Sequence, residues 1–392
     1  MCENMLTKKI ITLLVGVNLM SYGNCLAASL SLNQIFPGQK IKNINGLFVS
    51  PLELKDSELK KYGIPKTRAD KDLYRVLLNR GISKRNLSLL ENNYATSLAI
   101  KAVLRKKMLA SHQGEIFLFY FSGHGWAEKG TVYLVPYDFK DSEPEINGIT
   151  KNYLIEEFAG HFKGKEIILF GDFCNSGVLV EIAKEIQRKN PRIMASALAS
   201  ADRWSYSTGE WTFTKTLERI FEGDPILDAN KDGALSFREA QDAIMAIMRF
   251  EEYQLAGTGI SLGFNDEEIL AKVKNKKPSS GKQTKFSIGE YVEIKLEPNW
   301  LRAKIKDYQS GIYHLVMIVD HREIRATENE LRLPLDLAVM PNGTILEANW
   351  DDRYVNVEVV DRKNDFYLVS YEEPLQDWNE WISAAKLIEG HQ

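Results

Sequence analysis

The sequence predicts an α/β unit built on a mostly parallel sheet with helices on both faces, followed by two small antiparallel β-barrels. Three observations predict this. Continuous apolar runs at 115–121, 165–170 and 192–197 have strand length and no polar alternation, as central parallel strands buried on both faces require. Amphipathic stretches of helical length separate them, so strand and helix alternate as in βαβ units. Beyond residue 285 the pattern becomes short alternating runs broken by turns, which suits small barrels. A chain of 392 residues has room for two or three domains.

In order along the chain, Lys8-Lys9 precede an apolar stretch at 10–17 that is too short to span a bilayer. Small residues follow at Ala27 and Ala28, so 1–28 reads as a cleaved signal peptide. The mature protein is then expected to be exported, periplasmic or secreted, with no membrane attachment. Residues 41–273 form the α/β unit. Its first strand is Ile44–Val49, and its first helix is Ala69–Arg80, with Leu73, Val76 and Leu77 on one face and Gly81 as the stop. A short strand near 87–90 and a helix over 95–109 precede the apolar runs. Lys274–Lys285 is polar, basic and broken by Pro-Ser-Ser-Gly, a linker. Residues 286–335 and 336–392 are the two barrels. They repeat at an offset of 54: Trp300–Asp307 aligns with Tyr354–Asp361, Ile312–Leu315 with Phe366–Val369, and Gly289 with Gly343.

A hydrophobic content of 44% with 26% charged residues excludes large-scale disorder. A formal net charge of −3 leaves no electrostatic footprint for nucleic acid, and none is expected as a partner. Of the 3 cysteines, Cys2 and Cys25 lie in the export segment. Cys174 is left alone, which removes an intramolecular disulfide from consideration. A thiol with an ordinary pKa near ~8.5 needs a base or a lowered pKa to act as a nucleophile. The candidate base is His124, in Phe121-Ser122-Gly123-His124-Gly125. His124 and Cys174 each end a predicted parallel strand, at the edge where open α/β sheets bind ligands.

Tyr120-Phe121-Ser122-Gly123-His124-Gly125 and Asp172-Phe173-Cys174-Asn175-Ser176-Gly177 resemble the two signature motifs of the caspase–metacaspase superfamily of cysteine peptidases. Val132–Asp138 resembles the hairpin after the histidine motif, and Trp211–Thr214 the start of a late helix in bacterial members. The resemblance implies a caspase-like sheet over 41–273 and cleavage of a protein or peptide substrate through a thioester on Cys174. His124 would move the protons, and an oxyanion hole would use the N–H groups of Gly125 and Cys174. Asp172, two positions before the cysteine as in metacaspases, would floor a pocket for Arg or Lys at P1. It could instead cap the following turn or helix. Asp202 would add a second acidic wall. Asn175 stands where metacaspases carry histidine. A reading from another class is a catalytically inactive scaffold whose barrels bind a protein partner.

Residues 228–239 fit the twelve-position EF-hand loop. Asp228, Asn230 and Asp232 hold positions 1, 3 and 5, with Gly233 at 6. Ala234 offers a carbonyl, Ser236 a hydroxyl and Glu239 a bidentate carboxylate. Calcium is the expected cofactor, structural or activating. Pro225 interrupts the incoming side and implies a half-hand, with the exiting helix over Ser236–Phe250. The end of the second barrel resembles Tudor-knot or chromo-barrel domains of the SH3-like group. Trp350, Tyr354, Tyr371, Trp378 and Trp381 are candidates for a cation-binding cage toward a protein ligand, or for core filling.

Overall fold

The computed structural model describes residues 35–37, 39, 41–56, 67–274, 284–296, 299–334, 340–350, 353–363, 365–372, 379–384 and 387–389. Residues 1–28, expected from the sequence to be a signal peptide, most of the expected linker 274–285, Trp378 and the Trp350 side chain lie outside what is described.

From the N-terminal side, β1 (Ile44–Ser50) leads to α1 (Ala69–Asn79), β2 (Leu87–Glu91), α2 (Ser97–Ala110) and β3 (Ile116–Ser122). A small three-stranded sheet follows: β4 (Gly125–Glu128), β5 (Thr131–Leu134) and β6 (Ile149–Thr150). Next come α3 (Lys151–His161), β7 (Glu166–Asp172), α4 (Val178–Lys189), β8 (Met194–Ala199) and α5 (Thr212–Phe221). The unit closes with β9 (Ala234–Ser236), α6 (Phe237–Glu251), β10 (Gly257–Ile260) and β11 (Ile269–Lys272).

The central sheet has the order β2-β1-β3-β7-β8-β10. Its first five strands run parallel and β10 closes it antiparallel. Alternation along each strand feeds two cores. Phe48, Leu118, Tyr120, Ile168 and Phe170 pack with α1, α5 and α6, while Phe117, Phe119, Phe121, Ile167 and Leu169 pack with α2, α3 and α4. This is the mixed α/β arrangement the apolar runs predict. Boundaries move by a residue or two for local reasons. The second helix starts at Ser97 because Thr96 Oγ1 accepts the Ala99 N–H at 3.2 Å, an N-cap. The runs ending at 121 and 170 each continue to a polar residue, Ser122 and Asp172.

The C-terminal region forms two five-stranded antiparallel sheets. The first is β12 (Tyr291–Leu296), β13 (Asn299–Gln309), β14 (Ile312–Met317), β15 (Glu323–Ala326) and β16 (Leu331–Arg332). The second is β17 (Ile345–Trp350), β18 (Arg353–Lys363), β19 (Phe366–Tyr371), β20 (Asn379–Ser383) and β21 (Leu387–Glu389). Both have the same strand order, fifth strand included, and the offset of 54 survives in the backbone. Register shifts fall between Ile305 and Asp307 in one and between Val359 and Asp361 in the other. Gly289 at φ 88° donates to Ile305 O at 2.8 Å, and Gly343 at φ 85° to Val359 O at 2.7 Å. Such left-handed turns favour glycine.

Both sheets dock on the α/β unit. Glu251 of α6 accepts from Lys304 at 2.7 Å and from the Tyr291 hydroxyl. Asp365, wholly buried, lies 2.7 Å from Arg249 of α6 and 3.5 Å from Arg302 of β13. The Arg249 contact is a charge contact, off the axis of an aligned hydrogen bond. Trp381 of β20 donates its main-chain N–H to Trp204 O at 3.2 Å and accepts from Ser205 Oγ at 3.4 Å.

Candidate active site

The parallel register of β3 and β7 sets the site. Ser122 pairs with Asp172 at the ends of the two strands. One residue on, Gly123 N–H donates to Asp172 O at 3.2 Å. At Gly125 a Cβ would stand 1.9 Å from the Cys174 carbonyl oxygen, so only glycine lets these two loops close. His124 therefore sits between two residues whose backbones touch 172 and 174. Its own carbonyl accepts from Val135 N–H at 3.1 Å, tying the loop to the end of β5. Beneath it the hydroxyls of Ser50 and Ser122 meet at 2.5 Å.

His124 and Cys174 are both half-buried. Burial lowers the imidazole pKa and pushes the thiol up, with the Ser207 N–H opposing the latter at 3.4 Å from Sγ. Burial thus favours the neutral form of each group at rest. Its surroundings do not favour the thiolate, and a neutral imidazole is the form that accepts a proton.

Asn175 holds the next position at φ 61°, the left-handed region that asparagine tolerates. Its N–H donates to Ser205 O and its Nδ2 to Arg203 O, each at 2.8 Å. It thereby fixes the loop that brings Ser207 to the sulfur. The sequence singled out Asn175 only as a departure; its positive φ belongs to a tight turn that no local pattern announced.

Asp172 is half-buried and surrounded by hydroxyls. Oδ2 accepts from Thr214 Oγ1 at 2.5 Å and Oδ1 from Ser207 Oγ at 3.4 Å. Ser207 Oγ in turn lies 2.9 Å from Ser200 Oγ. Burial raises the Asp172 carboxyl pKa, and the bonds from Thr214, Ser200 and Ser207 pull it back. Among the described residues none of its hydrogen-bond or ion-pair partners is basic. Asp202 lies elsewhere in its bonding: it accepts from Trp204 N–H at 3.3 Å, and its pKa is raised by burial while Lys363 of β18 opposes. Among the described residues the two carboxylates share no hydrogen-bond partner.

The 228–239 loop makes the tight turn its pattern demands, with Gly233 at φ 85° and Lys231 at φ 60°. Its donors are engaged within the loop. Asp228 accepts from Asp232 and Gly233 N–H, and Asp232 Oδ1 from Ala234 N–H at 2.9 Å. Asn230 Oδ1 accepts from Asp232 N–H at 2.9 Å. Ser236 and Glu239 form a capping box at the start of α6, and Glu239 Oε1 also accepts from Ala229 N–H at 3.0 Å. Ser236 is thus the cap rather than the first residue of the helix. Among the described residues no three His, Cys, Asp or Glu side chains gather as a metal set. A cation would have to draw Glu239 away from these N–H groups.

Of the cage candidates, Tyr371 is buried with its hydroxyl on Glu380, while Tyr354 is exposed and Trp381 half-buried.

No protein-family model matches the chain. No curated protein matches it either. Among solved structures, protein GSU0716 from Geobacter sulfurreducens aligns at 16% identity over 59% of this chain and 97% of that chain, with a TM-score of 0.40. AGDP1 AGD34 from Arabidopsis thaliana aligns at 15% over 27% of this chain and 84% of its own, with a TM-score of 0.13. The ADCP1 tandem Agenet domain 3-4 gives 16%, 27%, 82% and 0.12. Likenesses at these TM-scores are too slight to bear on fold or function.

Proposed function

We propose that the chain is a caspase-type cysteine endopeptidase that cleaves proteins after Arg or Lys. One observation carries the proposal: the β3–β7 register delivers His124 and Cys174 from adjacent strand ends, with Gly125 packed on the Cys174 carbonyl. As Cys174 Sγ bonds the scissile carbon, its proton passes to His124. The carbonyl electron pair moves to oxygen, which the N–H groups of Gly125 and Cys174 receive. Collapse breaks the C–N bond, and His124 gives its proton to the leaving amine. Water then opens the thioester, with His124 taking the water's proton and returning one to sulfur.

Asp172 supports the basic preference. A carboxylate whose described partners are hydroxyls and one main-chain N–H lacks a counter-charge, and a P1 guanidinium or ammonium supplies one. The two C-terminal sheets are read as SH3-like barrels that hold a protein ligand. The protein is read as exported, and calcium as a stabilising ligand of 228–239 once Glu239 swings inward.

The test is hydrolysis of a peptide library varied at P1 by the wild type and Cys174→Ala, each with calcium or a chelator. Cleavage after Arg or Lys, lost by orders of magnitude in the variant, is the expected result. The chelator lane reports on the loop. Cleavage after Asp would remove the role given to Asp172, and no cysteine-dependent cleavage would remove the peptidase.

A further inference from the structure

Thr214 and Tyr120 form a buried chain behind Asp172. Thr214 Oγ1 lies 2.5 Å from Asp172 Oδ2 and 2.8 Å from the Tyr120 hydroxyl. Both Thr214 and Tyr120 are wholly buried. A threonine hydroxyl has one proton to give. Toward an ionised Asp172 it must donate, so it accepts from Tyr120. The direction of every proton in the chain is then fixed by the charge of Asp172: Tyr120 to Thr214, Thr214 to carboxylate.

The backbone adds to this. Thr214 is the third residue of α5, whose N-cap Trp211 at φ 64° supplies no side-chain acceptor. The first turn of a helix has N–H groups without intrahelical partners. The Thr214 N–H also bonds Asp172, so the carboxylate at the end of β7 caps α5 from outside, with the positive end of the helix dipole toward it. Asp172 does cap a helix, though not the one that follows it in sequence.

We propose that Thr214 is a positioning residue for P1 specificity: with Tyr120 behind it, its hydroxyl holds the Asp172 carboxyl in place for a basic side chain. This rests on the reading of Asp172 as the partner of a basic P1 side chain. The other groups facing Asp172 are Ser207 and Ser200 from the loop after β8, Cys174 two residues past the end of β7, and Asp70 of α1 across Tyr120. Asp70 is met by Arg68 at 2.7 Å. Removing the Thr214 hydroxyl therefore takes away the largest opposition to desolvation, and among the described residues no cation is a partner that replaces it.

The experiment compares wild type, Thr214→Val, Thr214→Ser and Tyr120→Phe. Peptides with Arg at P1 are set against the same peptides with citrulline, its uncharged isostere, from pH 5 to 9. In the wild type the Arg-over-citrulline ratio should rise with the ionisation of Asp172. Thr214→Val should move that rise upward by roughly one pH unit and lower the ratio by up to about tenfold on its acid side, chiefly through KM. Thr214→Ser should restore it, and Tyr120→Phe should fall between. A purely structural effect would depress both substrates alike, and that result would overturn the proposal. The Asp172 carboxyl is followed in parallel by carbon-13 NMR of labelled aspartate, assigned with Asp172→Asn. An unmoved resonance in Thr214→Val overturns the proposal whether or not the protein cleaves peptides. A shifted resonance in a protein that shows no Arg preference removes the specificity reading but sustains the hold on Asp172.

Discussion

Single atoms decide whether this site exists, and Gly125 shows it most directly. Its missing side chain is the space in which the Cys174 carbonyl lies, 1.9 Å from where a Cβ would be. Gly125→Ala should push the two loops apart. The expected outcome is loss of more than about hundredfold in kcat/KM, with a stability cost of only about 1–3 kcal/mol. Steady-state kinetics beside chemical denaturation check this, and an active Gly125→Ala protein would mean the loops need not touch. At this scale the sequence was legible where chemistry sits in a motif: His124, Cys174, Asp172 and the glycines around them. It was silent about Thr214, Ser207 and Asn175 as partners. Thr214 reaches Asp172 from 42 positions away and Ser207 from 35, and hydroxyl residues leave no local pattern that reveals a distant acceptor.

The elements owe their places to burial, and one charged exception stands at the start of β7. Glu166 is 2% exposed, with Lys165 at 3.7 Å and one carboxyl oxygen lacking a partner. Burial raises its pKa to about 7, with Glu268 adding to the rise and Lys165 opposing. The folded state therefore holds this proton more tightly than the unfolded chain does. Stability is greatest below the unfolded value and falls as pH rises through the window from 4.5 to about 7, by about 3 kcal/mol. Glu166→Gln should flatten that slope, so the variant gains on the wild type between pH 5 and 8 in urea denaturation. Parallel pH profiles would sink the assignment. The long apolar runs of β3, β7 and β8 were legible because both faces are buried. The edge strand β10, Gly257–Ile260, was not, since two glycines in four residues carry neither alternation nor β propensity.

Over the whole molecule the offset of 54 was readable from sequence, and both sheets keep it down to the glycine turns and the register shifts. How the sheets dock was not readable. Asp365 joins α6, β13 and the second sheet through Arg249 and Arg302. Removing one partner from a buried charge cluster is costly, about 3–5 kcal/mol. Asp365→Asn should therefore loosen the second sheet. The 203–207 loop would lose its outer support at Trp381, and Cys174 should alkylate faster in site-resolved mass spectrometry. A folded Asp365→Asn protein with an unchanged alkylation rate would show that the sheet and the thiol are independent.

The bond between Trp381 N–H and Trp204 O involves only main chain. Every residue but proline brings the same donor, so the two tryptophans can be exchanged for almost anything while that bond remains. Length is another matter. One residue inserted between Asn175's partners and Trp204, or into β20, would turn the facing carbonyl or amide the other way. This junction between the α/β unit and the C-terminal repeat is therefore written in spacing rather than in composition: tolerant of substitution, and closed to insertion or deletion.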